Sequence, residues 1–422
     1  MIIEGWGRYP KIESCPVNSY SKDYTFIPTG NFRSYGDAAL SDNYFSNLSN
    51  NHFIDFDEQT GLLTCDSGVL FSDLINTFTP RGWFPTITPG TKFITIGGAL
   101  ASDIHGKNHH LEGCFSECVK SFKLQLPDKT ISCSRDQNST LFYATCGGMG
   151  LTGVIKQVSF YLKPINSQWL HQVTIKNQNL EETFDSFESN SQHPYSVGWI
   201  DCLAKGKYLG RSLLMLGHFN SDEDLDYEIK TRISIPSYFP SFSLNYLSIK
   251  TFNYLYFNRP KNSYSEQIVG IDSFFYPLDR LNHWNRIYGN KGFIQFQFII
   301  PKNQSFEGLT EILNKISQKG FDCFLAVLKL YGPKNKNWLS FPIEGYSLAL
   351  DFKMHPGLFD FISLLTDLVV ELGGRIYLAK DALLTEKQFD LSYENAERFR
   401  KLRKDLNLDN SIQSLLSKRL NL

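Results

Sequence analysis

The strongest indication of the fold is the string TPGTKFITIGGALASDIHGKNHH, residues 88–110. Its glycines, Gly90, Gly97 and Gly98, let the backbone approach a bulky anion and adopt conformations that other residues avoid. The pair Gly97-Gly98 also stands at the start of a predicted helix, residues 98–104, whose N-terminus would attract negative charge. One such loop alone is usually an ordinary turn, so its meaning depends on the loops around it.

Two more glycine loops occur in the same part of the chain, GNFRSYGD at residues 30–37 and GGMGLTG at residues 147–153. Three such loops, interleaved with Ser and Thr hydroxyls, indicate a large phosphorylated cofactor. The string at 148–153 also matches the dinucleotide fingerprint G-x-G-x-x-G, which needs a strand before it, a helix after it and a later acid. Here the predicted order is helix then strand, with no carboxylate between Gly153 and Glu181, so a Rossmann site is excluded.

The densest polar cluster is HGKNHH, at residues 105–110. His105 and His109 have the i, i+4 spacing of some zinc ligands, but Lys107 lies between them and no glutamate adjoins His105. We therefore predict no metal. An active-site role and a hydrogen-bonded structural role are both open for His105. The G-x-S-x-G elbow of a serine hydrolase does not occur, so that class has no support.

The composition is typical of a globular protein of two domains, with 422 residues, 42% hydrophobic and 20% charged. The net charge of −1 gives no overall field for nucleic acid, so we expect no nucleic-acid partner. Eight scattered cysteines read as reduced thiols, and no apolar leader follows the first Met. These features predict a cytoplasmic protein, or at most one peripheral to the inner membrane.

Residues 1–165 combine short strand patterns with short helices, which predicts an α+β domain. The predicted strands there are 24–28, 52–56, 62–67, 119–126 and 154–162, with helices at 71–79, 98–104 and 136–146. Beyond residue 165 the patterns lengthen into a second α+β region, with strands at 292–301, 321–330 and 345–352 and helices at 305–319 and 357–372. A charged helical stretch, residues 394–422, follows.

Four strings together resemble a known family: RSYGDAAL (33–40), the stretch at 88–110, LFYATCGGMGLTG (141–153) and GGRIYLAKD (373–381). They are similar to FAD-linked oxidases of the vanillyl-alcohol oxidase class, and within it to the decaprenylphosphoryl-β-D-ribose 2′-oxidase family. The resemblance implies a two-part FAD-binding domain, residues 1–165 and 375–422. It also implies an inserted α+β substrate (cap) domain on an antiparallel sheet, residues 166–374. The FAD should be non-covalent, because Arg33 stands where related covalent flavoproteins carry a histidine.

Roles are carried over residue by residue. Lys380 and His105 match catalytic polar groups at the reacting face. The resemblance implies cofactor contacts from Arg33, Ser34, Tyr35, Gly36, Gly90, Thr91, Thr95, Gly97, Gly98, Ser102, Gly147, Gly148, Gly150, Thr152, Gly153, Ile155 and Tyr377. It implies a substrate pocket lined by Trp199, Tyr276, Gln295, Gln297 and Lys329. Ser347 and Ala349 stand where the family carries an Asn and a Cys, so that thiol is absent here.

The implied reaction oxidises a secondary alcohol of a pentose, carried on a polyprenyl phosphate, by hydride transfer to flavin N5. The keto sugar would pass to a short-chain dehydrogenase-type reductase that completes an epimerisation for cell-envelope polysaccharide. Another sugar, a polyol or a nucleotide sugar is the alternative substrate, and a flavin-fold binding protein without catalysis is the alternative class. Lys380 could accept the hydroxyl proton or, as a cation, stabilise developing negative charge.

One further segment, SYFPSFSLNYLSIKTFNYLYFNRPK at residues 237–261, has eight aromatic side chains. It also carries Lys250, Arg259 and Lys261, and no acid. Such a segment suits a lipid tail and its phosphate, or a membrane surface. An ordinary mobile cap over the pocket is the equal alternative.

Overall fold

Two large sheets organise this computed structural model, which describes residues 1–18, 24–227, 233–240, 242–321 and 323–422. One sheet is built from the first 165 residues and the other from the region that follows. Helices pack with both sheets, so the α+β class predicted from the sequence is confirmed.

The strands of the first region are short except the last. They are β1 (Ile2–Glu4), β2 (Lys11–Glu13), β3 (Cys15–Pro16), β4 (Ile27–Thr29), β5 (Asn43–Ser46), β6 (Phe53–Asp57), β7 (Leu62–Asp66), β8 (Trp83–Pro85), β9 (Val119–Gln125), β10 (Thr130–Ser134) and β11 (Val154–Pro164). The helices between them are α1 (Phe71–Phe78), α2 (Ile96–Ala101), α3 (His109–Glu112), α4 (Phe115–Cys118) and α5 (Ser139–Thr145), with a 3₁₀ turn at Thr79–Arg81.

The second region has longer elements. Its strands are β12 (Trp169–Asn177), β13 (Tyr195–Ile200), β14 (Ser212–Phe219), β15 (Ile233–Ser234), β16 (Tyr264–Gly270), β17 (Leu281–Asn282), β18 (Phe293–Pro301), β19 (Cys323–Tyr331), β20 (Gly345–Lys353) and β21 (Arg375–Ile376). Its helices are α6 (Leu180–Ser189), α7 (Tyr246–Phe257), α8 (Ile271–Phe275), α9 (Lys302–Lys319) and α10 (Leu358–Glu371), with 3₁₀ turns at Gly206–Tyr208, Pro277–Arg280 and Trp284–Tyr288. The chain then continues through α11 (Glu386–Ser392), α12 (Ala396–Asp405) and α13 (Leu415–Arg419).

The first sheet has the order β10-β9-β11-β7-β6, with β8 added to β11. Its inward residues follow the period of two of a half-buried strand, as in β7, where Leu63 and Cys65 are fully buried. Of the three glycine strings, the first lies between β4 and β5, which belong to a separate three-stranded sheet, and the second runs from the end of β8 through α2 to α3. The string at 147–153 has α5 before it and β11 after it, which confirms that it is not a Rossmann turn.

The second sheet has the order β16-β12-β14-β13-β19-β20-β18-β21, and its strand pairs are antiparallel. Helices α6, α9 and α10 pack against its strands. The pairing places Gln297 beside Ala349, Ala349 beside Val327, and Val327 beside Trp199. Because side chains alternate across a sheet, these four residues form one row on one face. That row is part of the cavity wall described below.

The last part of the chain returns to the first region. The N–H of Leu415 donates to Leu40 O at 2.7 Å, and the N–H of Phe26 donates to Ser411 O at 3.0 Å. The buried Arg403 donates through Nε to Leu151 O at 3.1 Å. This packing agrees with a two-part first domain, whose exact boundaries stay a prediction, since β21 pairs with β18 of the second sheet.

Where the chain is described, none of its helices has both the length and the apolar character that crossing a bilayer requires.

Candidate active site

A cavity of about 790 Å³ lies where the glycine loops meet the second sheet. All three loops contribute to its wall: the first through residues 30–35, the second through 88–91, 94, 95, 97 and 98, and the third through 149, 150 and 153. Both predicted catalytic residues, Lys380 and His105, line the same cavity. Its volume is in the upper part of the range of about 300–1,000 Å³ that small-molecule sites occupy.

Backbone N–H groups without partners mark where an anion could bind in this cavity. The N–H groups of Asn31, Phe32 and Ser34 in the first loop donate to no other described residue, and neither do those of Gly90 and Thr91 in the second. All five residues line the cavity. Successive unsatisfied N–H groups of this kind form a concave anion site that suits a diphosphate.

The space in front of Gly90 fits the same interpretation. A Cβ atom at Gly90 would meet no atom within 4 Å, so its backbone faces open cavity. The Ser67 hydroxyl, also in the cavity wall, is buried without a hydrogen-bond partner among the described residues. A large polar ligand would satisfy these groups. The residues present therefore fit FAD.

The N–H groups of Gly97 and Gly98, at the start of α2, were expected to face an anion, but both have partners within the protein. The N–H of Gly98 donates to Thr95 Oγ1 at 3.1 Å, and the N–H of Gly97 donates to Ser67 O at 2.8 Å. Both glycines line the cavity, but their amides are used to cap and fix α2 rather than left for a ligand.

Four predicted cofactor residues, Gly36, Gly147, Gly148 and Thr152, do not line the cavity. At each one, packing explains the residue. A Cβ at Gly36 would lie 1.6 Å from Asp381 O, and one at Gly148 would lie 2.2 Å from Ala144 O. Gly147 has a φ of 82° and the Thr152 hydroxyl bonds within the core to Thr145. The other predicted cofactor residues line the cavity: Arg33, Ser34, Tyr35, Gly90, Thr91, Thr95, Gly97, Gly98, Ser102, Gly150, Gly153, Ile155 and Tyr377.

Lys380 reaches the cavity from the chain that follows β21. Its Nζ lies 3.6 Å from the centre of the Tyr35 ring, over the ring face. Tyr35 is held there because its N–H donates to Ala379 O at 3.0 Å. Burial lowers the pKa of Lys380 to about 7, the charge of Asp351 opposes that shift, and the charge of Lys329 adds to it. Near neutral pH this amine is therefore divided between its protonated and neutral forms.

A buried carboxyl, Asp351, lies behind this amine and was missed by the sequence analysis. Its Oδ1 accepts from Gln295 Nε2 at 2.6 Å, and its Oδ2 accepts from the Tyr288 hydroxyl at 3.1 Å. Burial raises its pKa to about 6, against these two hydrogen bonds and the charge of Lys380. The sequence pattern could have identified it, because Asp351 lies two residues after Ala349 and four after Ser347 on β20, and therefore on the same strand face.

His105 is neutral and enclosed by aromatic rings. Burial first, then the charges of Lys329, His109 and Lys380, hold its pKa well below the usual value. Its Nε2 lies 3.1 Å from Gln297 Nε2, and an amide nitrogen can only donate, so this ring nitrogen accepts and the ring proton lies on Nδ1. Nδ1 is buried without a partner among the described residues. His105 can therefore hold Gln297 and offer one N–H donor.

The substrate-pocket prediction divides in two. Trp199, Gln295, Gln297 and Lys329 line the cavity, on the face of the second sheet that carries the row. Tyr276 does not: it is fully buried, and its hydroxyl bonds to that of Thr88 behind the wall.

Lysine side chains gather at this end of the cavity. Burial lowers the pKa of Lys329 to about 8. Lys107, which the sequence analysis treated only as an argument against zinc, also lines the cavity, and burial lowers its pKa to about 7. Its Nζ donates to Phe274 O at 2.7 Å, so it joins the loop at 105–110 to the second region. Among the described residues, no group of three or more His, Cys, Asp or Glu side chains could hold a metal ion.

Loop amides without partners, in a cavity that a buried lysine and a neutral histidine also line, suit an oxidoreductase of the FAD-linked class. Residues 18–134 match a family described as an FAD binding domain. The chain is 32% identical over 411 residues to the decaprenylphosphoryl-β-D-ribose oxidase of Mycolicibacterium smegmatis, covering 94% of this chain and 89% of that protein. It is 26% identical over 361 residues to a Streptomyces coelicolor protein described as an uncharacterized protein in the mprA 5′ region, covering 81% of this chain and 97% of that protein.

The chain therefore belongs to the decaprenylphosphoryl-β-D-ribose oxidase family. It is an FAD-dependent oxidoreductase.

Proposed function

We propose that the enzyme oxidises a secondary alcohol of a pentose, carried on a polyprenyl phosphate, to the keto sugar. The observation that carries this proposal is that Lys380, His105, Gln295 and Gln297 face the cavity that the three glycine loops also line. Amide side chains on one strand face suit recognition of sugar hydroxyls. The name of the Mycolicibacterium smegmatis relative supports ribose as the sugar.

The cofactor would lie along the loops, held without a covalent bond. The Arg33 guanidinium stacks on the Trp6 ring at 4.0 Å and cannot form a flavin linkage. The unpartnered N–H groups of the two loops would hold the diphosphate, and residues 1–165 with 375–422 would form the FAD-binding domain. Residues 166–374 would form the cap that bears the substrate side of the cavity.

In the reaction, FAD supplies the acceptor for the hydride that leaves the carbinol carbon at flavin N5. Lys380 Nζ accepts the proton of the substrate hydroxyl, because a pKa of about 7 leaves much of this amine neutral at neutral pH. Gln297, held by His105, orients the hydroxyl toward Lys380. The burial of these groups excludes water from the reacting end.

The phosphate of the substrate would lie toward Lys329, Lys107 and Arg259. All three line the cavity, and no salt bridge joins them to a carboxylate of the described residues. Arg259 and Lys329, whose pKa of about 8 leaves it mostly protonated at neutral pH, carry the charge that favours an anionic ligand. Lys107, with a pKa of about 7 and its Nζ on Phe274 O, adds a partial charge. This supports a sugar phosphate over a free polyol.

The oxidation would be the first half of an epimerisation. A keto sugar is a substrate for hydride return to the opposite face, so a short-chain dehydrogenase-type reductase is the proposed functional partner. Location in the cytoplasm, or peripheral to the inner membrane, stays a prediction, and the free cysteines agree with it.

The test is spectroscopic. The purified, FAD-loaded protein is mixed anaerobically with a polyprenyl-phosphoryl pentose, and the visible flavin absorbance is followed. Bleaching is expected with this substrate, little with the free pentose, and none in a Lys380→Ala variant that still holds FAD. Equal bleaching by a polyol or a nucleotide sugar would move the assignment to the alternative substrates. A colourless protein that gains no FAD on reconstitution would indicate a non-catalytic binding protein.

A further inference from the structure

Helix α7 has its apolar side chains on the outside. The residues it buries are Ile249, Asn253 and Phe257, one per turn, and the middle one is an amide whose Nδ2 donates to Asp201 Oδ1 at 2.7 Å. Leu247 and Leu255, by contrast, are 71% and 63% exposed. A surface helix of a globular protein normally presents the reverse pattern.

The exposed apolar surface continues before the helix. Its large exposed side chains are Ile233, Tyr238, Phe239, Phe242, Tyr246, Leu247, Phe252, Tyr254 and Leu255, which we call the aromatic face. Position 241, within the segment singled out from the sequence, lies outside the described residues. So many large exposed apolar side chains in one segment indicate an interaction site.

The charge of this segment has one sign. Between residues 233 and 265 the sequence contains no Asp or Glu, while Lys250, Arg259 and Lys261 are present and exposed. None of the three forms a salt bridge with a carboxylate in the described ranges. Aromatic and leucine side chains flanked by unpaired cations are the composition of a surface that lies in the interface of an anionic bilayer.

The same helix borders the cavity. Phe252, Tyr256 and Arg259, spaced by four and three residues, line the cavity wall, and the Tyr256 ring contacts the Trp199 ring at 4.8 Å between centroids. One flank of α7 therefore faces the cavity while another faces outward. A bilayer that covered the outer flank would lie next to this wall of the cavity.

We propose that the aromatic face, with Lys250, Arg259 and Lys261, docks the enzyme on an anionic lipid bilayer. Docking there lets a lipid-linked sugar enter the cavity while its tail stays in the membrane. The proposal rests on the proposed function only for this last point, since binding to a membrane can be measured without any substrate. It requires only the exposed apolar side chains and the cations beside them.

The experiment uses the full, FAD-loaded chain and sedimentation with vesicles of phosphatidylcholine, with or without phosphatidylglycerol. Wild type should sediment with the anionic vesicles, and less at high salt. The double variant Leu247→Ser/Leu255→Ser should bind at least about tenfold more weakly, because two leucines no longer enter the interface. Lys250→Gln/Lys261→Gln should lose about fivefold per charge. Leu391→Ser is the matched control, since Leu391 is 67% exposed on α11 and should leave binding unchanged.

Several results would overturn the docking surface. These are no sedimentation of wild type with either vesicle, equal loss in Leu391→Ser, or wild-type binding by the leucine double variant. A dimer in light scattering that Leu247→Ser/Leu255→Ser dissociates would assign the face to a second copy instead. A second readout, flavin bleaching by a water-soluble phosphopentose, tests the proposed function separately from membrane docking. The variant Leu247→Ser/Leu255→Ser should keep this bleaching even where it no longer binds vesicles.

Discussion

Turnover should rise with pH through about 7, and replacing Asp351 with Asn should move that rise to lower pH. An amine base works in its neutral form, and burial brings the pKa of Lys380 to about 7. Asp351 opposes this depression, since its negative charge favours the protonated amine. Without that charge, the amine should lose its proton more easily.

The size of the shift follows from the contacts at Lys380. The charged or titratable groups that bear on it are Asp351, which raises its pKa, and Lys329, which lowers it; Tyr35 and His105 are its neutral neighbours. Loss of a nearby opposite charge usually shifts a pKa by one unit or more, about 1.4 kcal/mol per unit. At pH 7, where most of Asp351 is ionised because its pKa is about 6, a fall of about one unit would raise the neutral fraction of Lys380 about twofold.

The assay is the rate of anaerobic flavin reduction, measured from pH 5 to pH 9 in wild type, Asp351→Asn and Tyr288→Phe. The Tyr288 variant is the matched control, because it removes one hydrogen bond to Asp351 and keeps the carboxyl group. In this variant the rise of the rate with pH should stay near that of wild type. Acetylation of Lys380 by a limiting reagent, followed by mass spectrometry over the same pH series, reports the same pKa without turnover.

Three outcomes are informative. If the rate and the acetylation of Lys380 both rise at lower pH in Asp351→Asn than in wild type, Lys380 is supported as the base. Turnover that instead falls as pH rises through 7 would mean that the ammonium form is required, as an electrostatic stabiliser. If turnover in Asp351→Asn rises at the same pH as in wild type, or at a higher pH, the coupling between these two residues would be refuted.

Three further predictions concern stability and cofactor binding. Gly36→Ala should lower the free energy of unfolding by about 2 kcal/mol or more, because its Cβ would lie 1.6 Å from Asp381 O; a melting curve equal to wild type would contradict this. Gly90→Ala meets no atom within 4 Å, so its melting temperature without FAD should be unchanged while flavin fluorescence titration shows weaker FAD binding. Lys92→Met removes the ion-pair partner of Asp272, whose Oδ1 lies 2.6 Å from Lys92 Nζ. The free energy of unfolding in urea should fall by about 2–3 kcal/mol, less than for a fully buried pair because Asp272 is partly exposed to solvent. An unchanged midpoint would show that the pair contributes nothing to stability.

Much of the secondary structure follows from local patterns. Strand β18 begins one residue after its predicted start and ends where expected, and β19 and β20 lie within two residues of their predicted bounds. Their alternation and their flanking glycines are local signals, so no tertiary information is needed. Helix α9 begins at Lys302, three residues before its predicted start.

Tertiary packing decided the places where the patterns misled. Phe306 stands at helical spacing from Leu309 and Leu313, which α9 buries, but Phe306 itself is 45% exposed and contacts the Phe184 ring. The charged stretch at 394–422 forms two helices, α12 and α13, rather than one. Arg403 explains the break, since it is fully buried and donates to the carbonyls of Leu408 and Leu151, and that requires the chain to turn.

The site was harder to predict because it depends on pairings between distant segments. The resemblance implied Gln295 and Gln297 as pocket residues, and both line the cavity from one face of β18. Nothing local linked Asp351 to Lys380, although the antiparallel register of β18 and β20 places Asp351 opposite Gln295. A period of two finds the face on which a residue lies, and only the strand order finds its neighbours.

The string RSYGD illustrates how a motif residue can serve chemistry without touching the ligand. Gly36 lies against Asp381 O, so close that no side chain fits, and Arg419 holds Asp37 and Asp381 together at 2.8 and 2.9 Å. This close approach of two distant segments is what places the Tyr35 ring under Lys380. If Gly36 acts in this way, Gly36→Ala should separate Tyr35 from Lys380 and shift the pH limb of turnover as well as lowering stability. A direct contact with the cofactor would instead change FAD affinity and leave that limb in place.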